Sequence, residues 1–302
     1  MVDITISSKG VSDTLTNTEF NQLLQALKTA ERNIITGNIT GTSLLISGNT
    51  SLAGDVIIGG IQGPFAKDFS YKNCLFVSTN GGVYGVDDYD GLTPGTALAS
   101  FQDAIDNAEE VLGYTPSINE PVVILCNDAG VFNESITLPD FYSIYAPTAS
   151  LELGGIDEKQ LNIGTCKVSF HRVYRNSGTN DMIAVAPTSV GSIVNINHIL
   201  DYGSGSAVSV SSDIGTLINS KAIEIRGSGI GIRDAGVGGH YFHIHVNTIR
   251  LYSNDAIGLQ INLDSLVHGF IDDISYNNES VTGTKAFEIT NGIVSITANN
   301  IN

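Results

Sequence analysis

The sequence predicts an all-β chain wound as a parallel β-helix, or β-solenoid. The first observation is a repeat. The segments CKVSFHRVYR, SIVNINHILD, TLINSKAIEI, FHIHVNTIRL, LVHGFIDDIS and VSITANNIN each end near a branched apolar residue: Val173, Ile199, Ile223, Ile249, Ile274 and Ile301. Their spacings are 26, 24, 26, 25 and 27 residues. The second is an apolar pair after each of the first five segments: Ile183/Val185, Val208/Val210, Ile230/Ile232, Ile257/Leu259 and Phe287/Ile289. The third is the absence of a fixed leucine consensus, which sets this repeat apart from a leucine-rich one. Short strands at such a period, broken by Gly and Asn turns, are one coil of a solenoid.

Four parts follow in chain order. Residues 1–33 are an attachment segment with a short helix. In TNTEFNQLLQALKTAERN, Thr16 and Glu19 form a capping box, and Phe20, Leu23, Leu24 and Leu27 share a helical face. So short a helix is marginal alone, and its stripe needs a partner. Residues 34–64 repeat every six: Leu44 and Ile46, Thr50 and Leu52, Val56 and Ile58, with Gly48, Gly54 and Gly60 in step. One chain offers too little apolar surface here to close a core, whereas three intertwined chains would close one. This stretch resembles the Gly-Asn-Thr repeats of bacteriophage tail-fibre and tailspike necks, and the resemblance implies a homotrimer.

Residues 65–118 hold a strand, CLFVS (74–78), then DGLTPGTALASFQDAIDNAEEVL (90–112), with helical spacing of Phe101, Ala104, Ile105 and Ala108. The order strand, Asp-Gly-x-Thr-Pro turn and S-F-Q-x-A-I-D-x-A helix resembles the entrance of a right-handed parallel β-helix of the pectate-lyase-like class. That resemblance covers about 60 residues and implies a capping helix over the first coil; it speaks for fold rather than activity. Residues 119–302 are the β-helix itself.

Composition narrows the function. The chain has 302 residues, with 31 acidic against 14 basic, a formal net charge of −17, and no basic run. Nucleic-acid binding is not expected, nor membrane insertion, since no apolar run has spanning length. No leader is visible at MVDITISSKG. Cys74, Cys126 and Cys166 are too far apart for a zinc site and too few for a disulfide framework. No cofactor is implied.

Counting back from each pivot places alternate residues inside. Cys166, Val168 and Phe170 define the inward set of one coil, and Phe242, Ile244 and Val246 that of another. In the coil ending at Ile274 the distortion expected around Gly269 puts Leu266 inside and Val267 outside. His243 and His245 then project outward together. With Lys167, Ile193, Leu217, Val267 and Ser295 in the His243 column, this outer face carries aliphatics that need cover. The expected subunit interface comprises Leu23, Leu27, Leu44, Ile46, Leu52, Val56, Ile58, Ile193, Leu217, His243, His245 and Val267. The alternative for His243 and His245 is a transition ion on a threefold axis, held by six imidazoles.

A glycosidase needs two carboxyls flanking one bond. Asp272, Asp273, Asp201 and Glu224 are the candidates, all at turns or strand ends, where Asp is an ordinary turn-former. RGSGIGIRDAG lacks the strand-to-helix context of a phosphate loop, and DDYDG at 87–91 lacks the flanking acids of a calcium loop. The chain has no tryptophan.

The expected role is a trimeric tail-fibre or tailspike-type protein of a virus particle, assembled in the host cytoplasm. It would be a stiff rod for host attachment or a connector for a receptor-binding protein. Expected partners are two further copies, tail or capsid proteins at the N-terminus and at the open C-terminal end, and a host surface glycan or receptor. A head fibre or capsid decoration shares these features. The alternative is an enzyme, a polysaccharide hydrolase or lyase acting on the solenoid flank.

Overall fold

The computed structural model describes residues 57–58, 61–62 and 73–301, apart from 188, 212–214, 236–239, 262–264 and 277–281. All of them belong to the second of the two units into which the chain divides, 53–302. Leu23, Leu27, Leu44, Ile46, Leu52 and Val56 lie outside the described residues, as does the side chain of Ile58. At the backbone level, β1 (Ile57–Ile58) pairs antiparallel with β2 (Ile61–Gln62).

Runs of Val, Ile, Leu and Phe alternating with polar residues form the rest. β3 (Cys74–Gly82) leads through a 3₁₀ turn at Pro94–Thr96 to α1 (Phe101–Asp106) and α2 (Ala108–Leu112). Then come β4 (Val122–Leu125), β5 (Val131–Asn133), β6 (Ile136–Leu138), β7 (Tyr142–Leu153) and β8 (Leu161–Ile163). Each following coil has one long strand and one short strand. These are β9 (Lys167–Arg175) with β10 (Ile183–Val185), and β11 (Ile193–Asp201) with β12 (Ser206–Val210). β13 (Thr216–Ile225) precedes β14 (Ile230–Asp234), and β15 (Tyr241–Leu251) precedes β16 (Ile257–Ile261). β17 (Leu266–Tyr276) and β18 (Lys285–Ile289) lead to β19 (Ile293–Ile301).

The long strands stack in the order β19-β17-β15-β13-β11-β9-β7-β4-β3, and the short ones in the order β18-β16-β14-β12-β10-β8-β6. Downstream of β2, every strand pairing among the described residues is parallel, apart from two isolated bridges. The architecture is an all-β, right-handed parallel β-solenoid of about six turns, the hand that crossovers between parallel strands adopt.

The six pivots are Cα partners in unbroken succession, from Val173 to Ile199, Ile223, Ile249, Ile274 and Ile301. Phe170, Ile196, Ile218, Ile244 and Ile271 are buried beneath them. Leu266 and Val267 depart from the expected placement. Phe242 pairs with Val267, and Val267 is fully buried, so it belongs to the core and not to the outer face. The coil keeps its register because Gly269 absorbs the crowding. A Cβ there would lie 2.1 Å from the Ile244 carbonyl oxygen, so the missing side chain lets the two backbones close up without a slip.

The helix expected from Ser100 is two short helices that meet at Asn107, with Gly113 ending the second in the left-handed region at φ 76°. Ser100 caps α1 by accepting from the Asp103 amide. Glu134, from the loop between β5 and β6, accepts from the Phe101 and Gln102 amides, both at 3.0 Å, and from the Ser100 hydroxyl. A carboxylate there satisfies orphan amides and suits the positive helix end. Phe101 is fully buried, its ring 4.6 Å from Phe132 and 5.4 Å from Phe170.

The interior at the ends of β9 and β11 holds a polar pair, where the same column in the neighbouring coils holds Leu153, Ile225 and Leu251. Arg175 and Asp201 are both buried, with Arg175 Nε 2.5 Å from Asp201 Oδ1 and Nη2 2.8 Å from Oδ2. Arg175 also donates to the Asn180 carbonyl, and Asp201 accepts from the Gly203 amide at 2.6 Å. Gly203 is glycine because a Cβ would sit 2.5 Å from the guanidinium.

Candidate binding faces

From β9 to β19 the ladder skips the residue two before each pivot and the inward–outward alternation resets there, so each strand presents two outward faces. The first half carries the histidines. The His243 column runs Lys167, Ile193, Leu217, His243, His268, Ser295. His268 therefore takes the place expected of Val267. The ring centroids of His243 and His268 are 6.0 Å apart, and Tyr241 stands edge-on to His243 at 4.8 Å. His245 faces Phe270 at 6.1 Å. Ile193, Leu217 and Leu266 are half-buried on this face, and Ile293 is exposed. The outward direction of His243 and His245 is as expected, and the patch is more aromatic than the sequence suggested. Among the described residues, no group of three His, Cys, Asp or Glu side chains in one chain could hold a metal. His240, by contrast, is buried, its amide donating to Ser265 Oγ while that hydroxyl donates to Asp234.

The second half of the strands carries a different constellation. In the column after the pivot stand Tyr174, Leu200, Glu224 and Arg250, and before it Arg172, His198, Ala222 and Thr248. Beyond the strand ends, backbone bonds from Tyr202 to Arg175, from Arg226 to Asp201 and from Tyr252 to Ile225 stack Tyr202, Arg226 and Tyr252 in successive coils. Glu224 is the hub. Arg226 Nη2 approaches it at 3.0 Å, Arg250 Nη1 at 3.3 Å and His198 Nε2 at 3.4 Å. The Arg226 guanidinium lies 4.5 Å from the Tyr252 ring centroid and 5.6 Å from that of Tyr202, and Arg172 lies 4.8 Å from that of Tyr174.

Electrostatics follow from this packing. Burial alone would push the Glu224 carboxyl up. The Arg226 hydrogen bond and the charges of His198, Arg226 and Arg250 outweigh it and hold the group below its ordinary value of 4.5. Burial pushes His198 below 6.5; Arg172 and Arg250 reinforce that, against the pull of Glu224. A histidine whose folded pKa is depressed loses its contribution to stability as pH falls from its unfolded value toward its folded one. A carboxylate with a depressed pKa contributes above its unfolded value and loses that contribution as pH falls through its folded one. Melting temperature is therefore expected to decline in two limbs, first below about pH 6.5 and again below about pH 4.5. His198→Gln should flatten the upper limb in a differential scanning calorimetry series. An upper limb unchanged in that variant would remove His198 as its cause.

The four carboxylate candidates do not assemble as pairs of matched function. Asp201 is sealed in the buried ion pair with Arg175, and Glu224 is held ionised by its cations. Asp272 lies inside β17 and not at a turn, and it accepts from Asn299 of the next coil at 2.7 Å. Asp273 pairs with Thr248 and Asn300 in the His198 column. In DDYDG, Asp90 accepts from the Leu92 amide and the Thr96 hydroxyl, which makes the segment a polar turn. All three cysteines are buried thiols; burial pushes Cys74 and Cys126 up to about 12.

Sequence reasoning missed Arg172, His198, Arg226, Arg250, Tyr202 and Tyr252 as a group. The signal was present: these residues sit one before, one after or three after their pivots. Comparison of the chain with protein-family models, with curated proteins and with solved structures finds no match in any of the three.

Proposed function

We propose that this protein is a trimeric structural rod of a virus particle, a tail-fibre or tailspike-type component that attaches the particle to its host or carries a receptor-binding protein. The observation that carries this reading is the continuous parallel ladder from β3 to β19. Each interior strand is bonded on both sides, so local opening breaks two rows of hydrogen bonds and the unit is stiff. The reading is supported further by the face of Ile193, Leu217, Tyr241, His243, Leu266, His268 and Phe270, which suits burial against neighbouring copies. The glycine repeat at 34–64 would hold the three chains together, and the particle surface would be the protein's working location.

Native mass spectrometry of the full chain tests the assembly. Three chains of 31.9 kDa in one complex are expected. A monomer at micromolar concentration would overturn the trimeric rod. Mass lost on adding a chelator, and absent from a His243→Ala variant, would assign an ion to the histidine face.

A further inference from the structure

The constellation around Glu224 holds more positive charge than its own carboxylate needs. Three of the five described arginines, Arg172, Arg226 and Arg250, stand on this one face of a chain whose net charge is −17. Arg226 spends Nε and Nη2 on Glu224, and Arg250 spends Nη1. A guanidinium has five N–H donors, so each keeps donors beyond those bonds. Among the described residues Arg172 has no hydrogen bond from its buried Nε, and its guanidinium lies over the Tyr174 ring. Arg226 and Arg250 are exposed, with 38% and 46% of their side chains accessible. Arg226 and Arg250 bracket Glu224, and Arg172 stands apart from it beside Tyr174 and His198, so its charge is not answered by that carboxylate.

The aromatic groups supply a second feature. Tyr202, exposed, and Tyr252, half-buried, flank the Arg226 guanidinium in consecutive coils. Ala222, with only a methyl, lies between His198 and Thr248 and leaves the floor of the face shallow there. The shelf runs from the Arg172 coil to the Arg250 coil, three coil steps, or about 14 Å at ~4.8 Å per step. Glu152, held by Asn133 and Asn176 beside Tyr174, bounds one end, and Asp273 bounds the other. The positive stretch is thus confined to the middle. With a Debye length of about 8 Å at physiological ionic strength, these near charges govern a ligand on the shelf more than the distant acids do.

We propose that the shelf formed by Arg172, Arg226 and Arg250 with Tyr202 and Tyr252 binds an acidic saccharide, its carboxylates on the guanidinium groups and its ring faces on the tyrosines. Planar guanidinium forks match carboxylates in pairs, and aromatic faces accept the C–H side of a pyranose. The length fits about three sugar units. The inference rests on the attachment role proposed above for its setting, but not on trimer formation. A monomer that binds the saccharide would sink the rod and leave the shelf standing.

Isothermal titration calorimetry on the full-length protein tests it. The probes are short oligomers of galacturonate, hyaluronan and α2,8-linked sialic acid, with maltotriose as the neutral control and citrate as a free carboxylate. At least one acidic oligomer is expected to bind, with maltotriose and citrate weaker by about tenfold or more. Arg226→Gln and Arg250→Gln should each weaken that binding about tenfold, the loss of one charge-assisted contact. Arg172→Gln, which leaves Glu224 its partners, does the same and serves if the other two variants unfold. Glu224→Gln should bind more tightly, because its carboxylate competes with the ligand for the same donors; a purely structural ion network predicts no gain. Failure of every acidic oligomer to bind at millimolar concentration overturns the proposal. So does equal binding of maltotriose, or citrate binding as tight as that of the oligomers.

Discussion

Arg175→Ala is expected to destabilise the solenoid by about 3–5 kcal/mol, because it leaves the Asp201 carboxyl buried without its partner. The pair is closed off from solvent, with side-chain exposures of 1% and 0%. Asp201 would keep only the Gly203 amide, and the Asn180 carbonyl would lose its donor as well. Arg175→Met with Asp201→Leu should recover most of the loss, since a buried pair replaced by apolar side chains of similar volume is often nearly neutral. Urea unfolding at one fixed protein concentration measures both. A single variant as stable as the parent would show that water or a neighbouring group takes over the charge.

Phe101→Ala should cost about 3–5 kcal/mol, as removal of a buried phenylalanine does. Its ring contacts Phe132 and Phe170, so the cavity opens where α1 meets the first coils. Energetics in a stacked repeat are dominated by nearest neighbours. Hydrogen exchange should therefore accelerate in β3, β4 and β7 while β15 and β17 keep their protection. Loss spread evenly along the stack would mean that the solenoid unfolds as one unit and that α1 has no local role.

The fold was legible because a solenoid writes its geometry into its period. Pivots 24 to 27 residues apart had to become neighbours, and Val173, Ile199, Ile223, Ile249, Ile274 and Ile301 do pair in that order. The reading faltered at Leu266 and Val267, where Gly269 looked like a distortion. Glycine's absent side chain lets adjacent coils close without a shift, and no sequence pattern separates that use from a bulge. The outward direction of His243 and His245 followed from strand alternation alone. Their neighbour His268 did not, because one wrong step in register exchanges a core residue for a surface one.

The Glu224 site lay further from view. Its members are separated by up to 80 residues, from Arg172 to Tyr252, and each alone is an ordinary polar residue near a strand end. Asp201 and Glu224 looked equivalent in the sequence, both close after a pivot. In the folded chain one points inward to Arg175 and the other outward to Arg226 and Arg250. Strand alternation decides it: Asp201 lies two after its pivot and shares the pivot's inward face, whereas Glu224 lies one after its pivot and faces outward.

The sequence by itself determined the coil period, the two-strand content of each coil and the apolar interior, because those depend on spacing and alternation along the chain. Only the tertiary structure decided where charge gathers. Stacking brings Arg250 and His198 from the neighbouring coils to Glu224 and sets Tyr202 and Tyr252 on either side of Arg226, and these contacts exist only across coils.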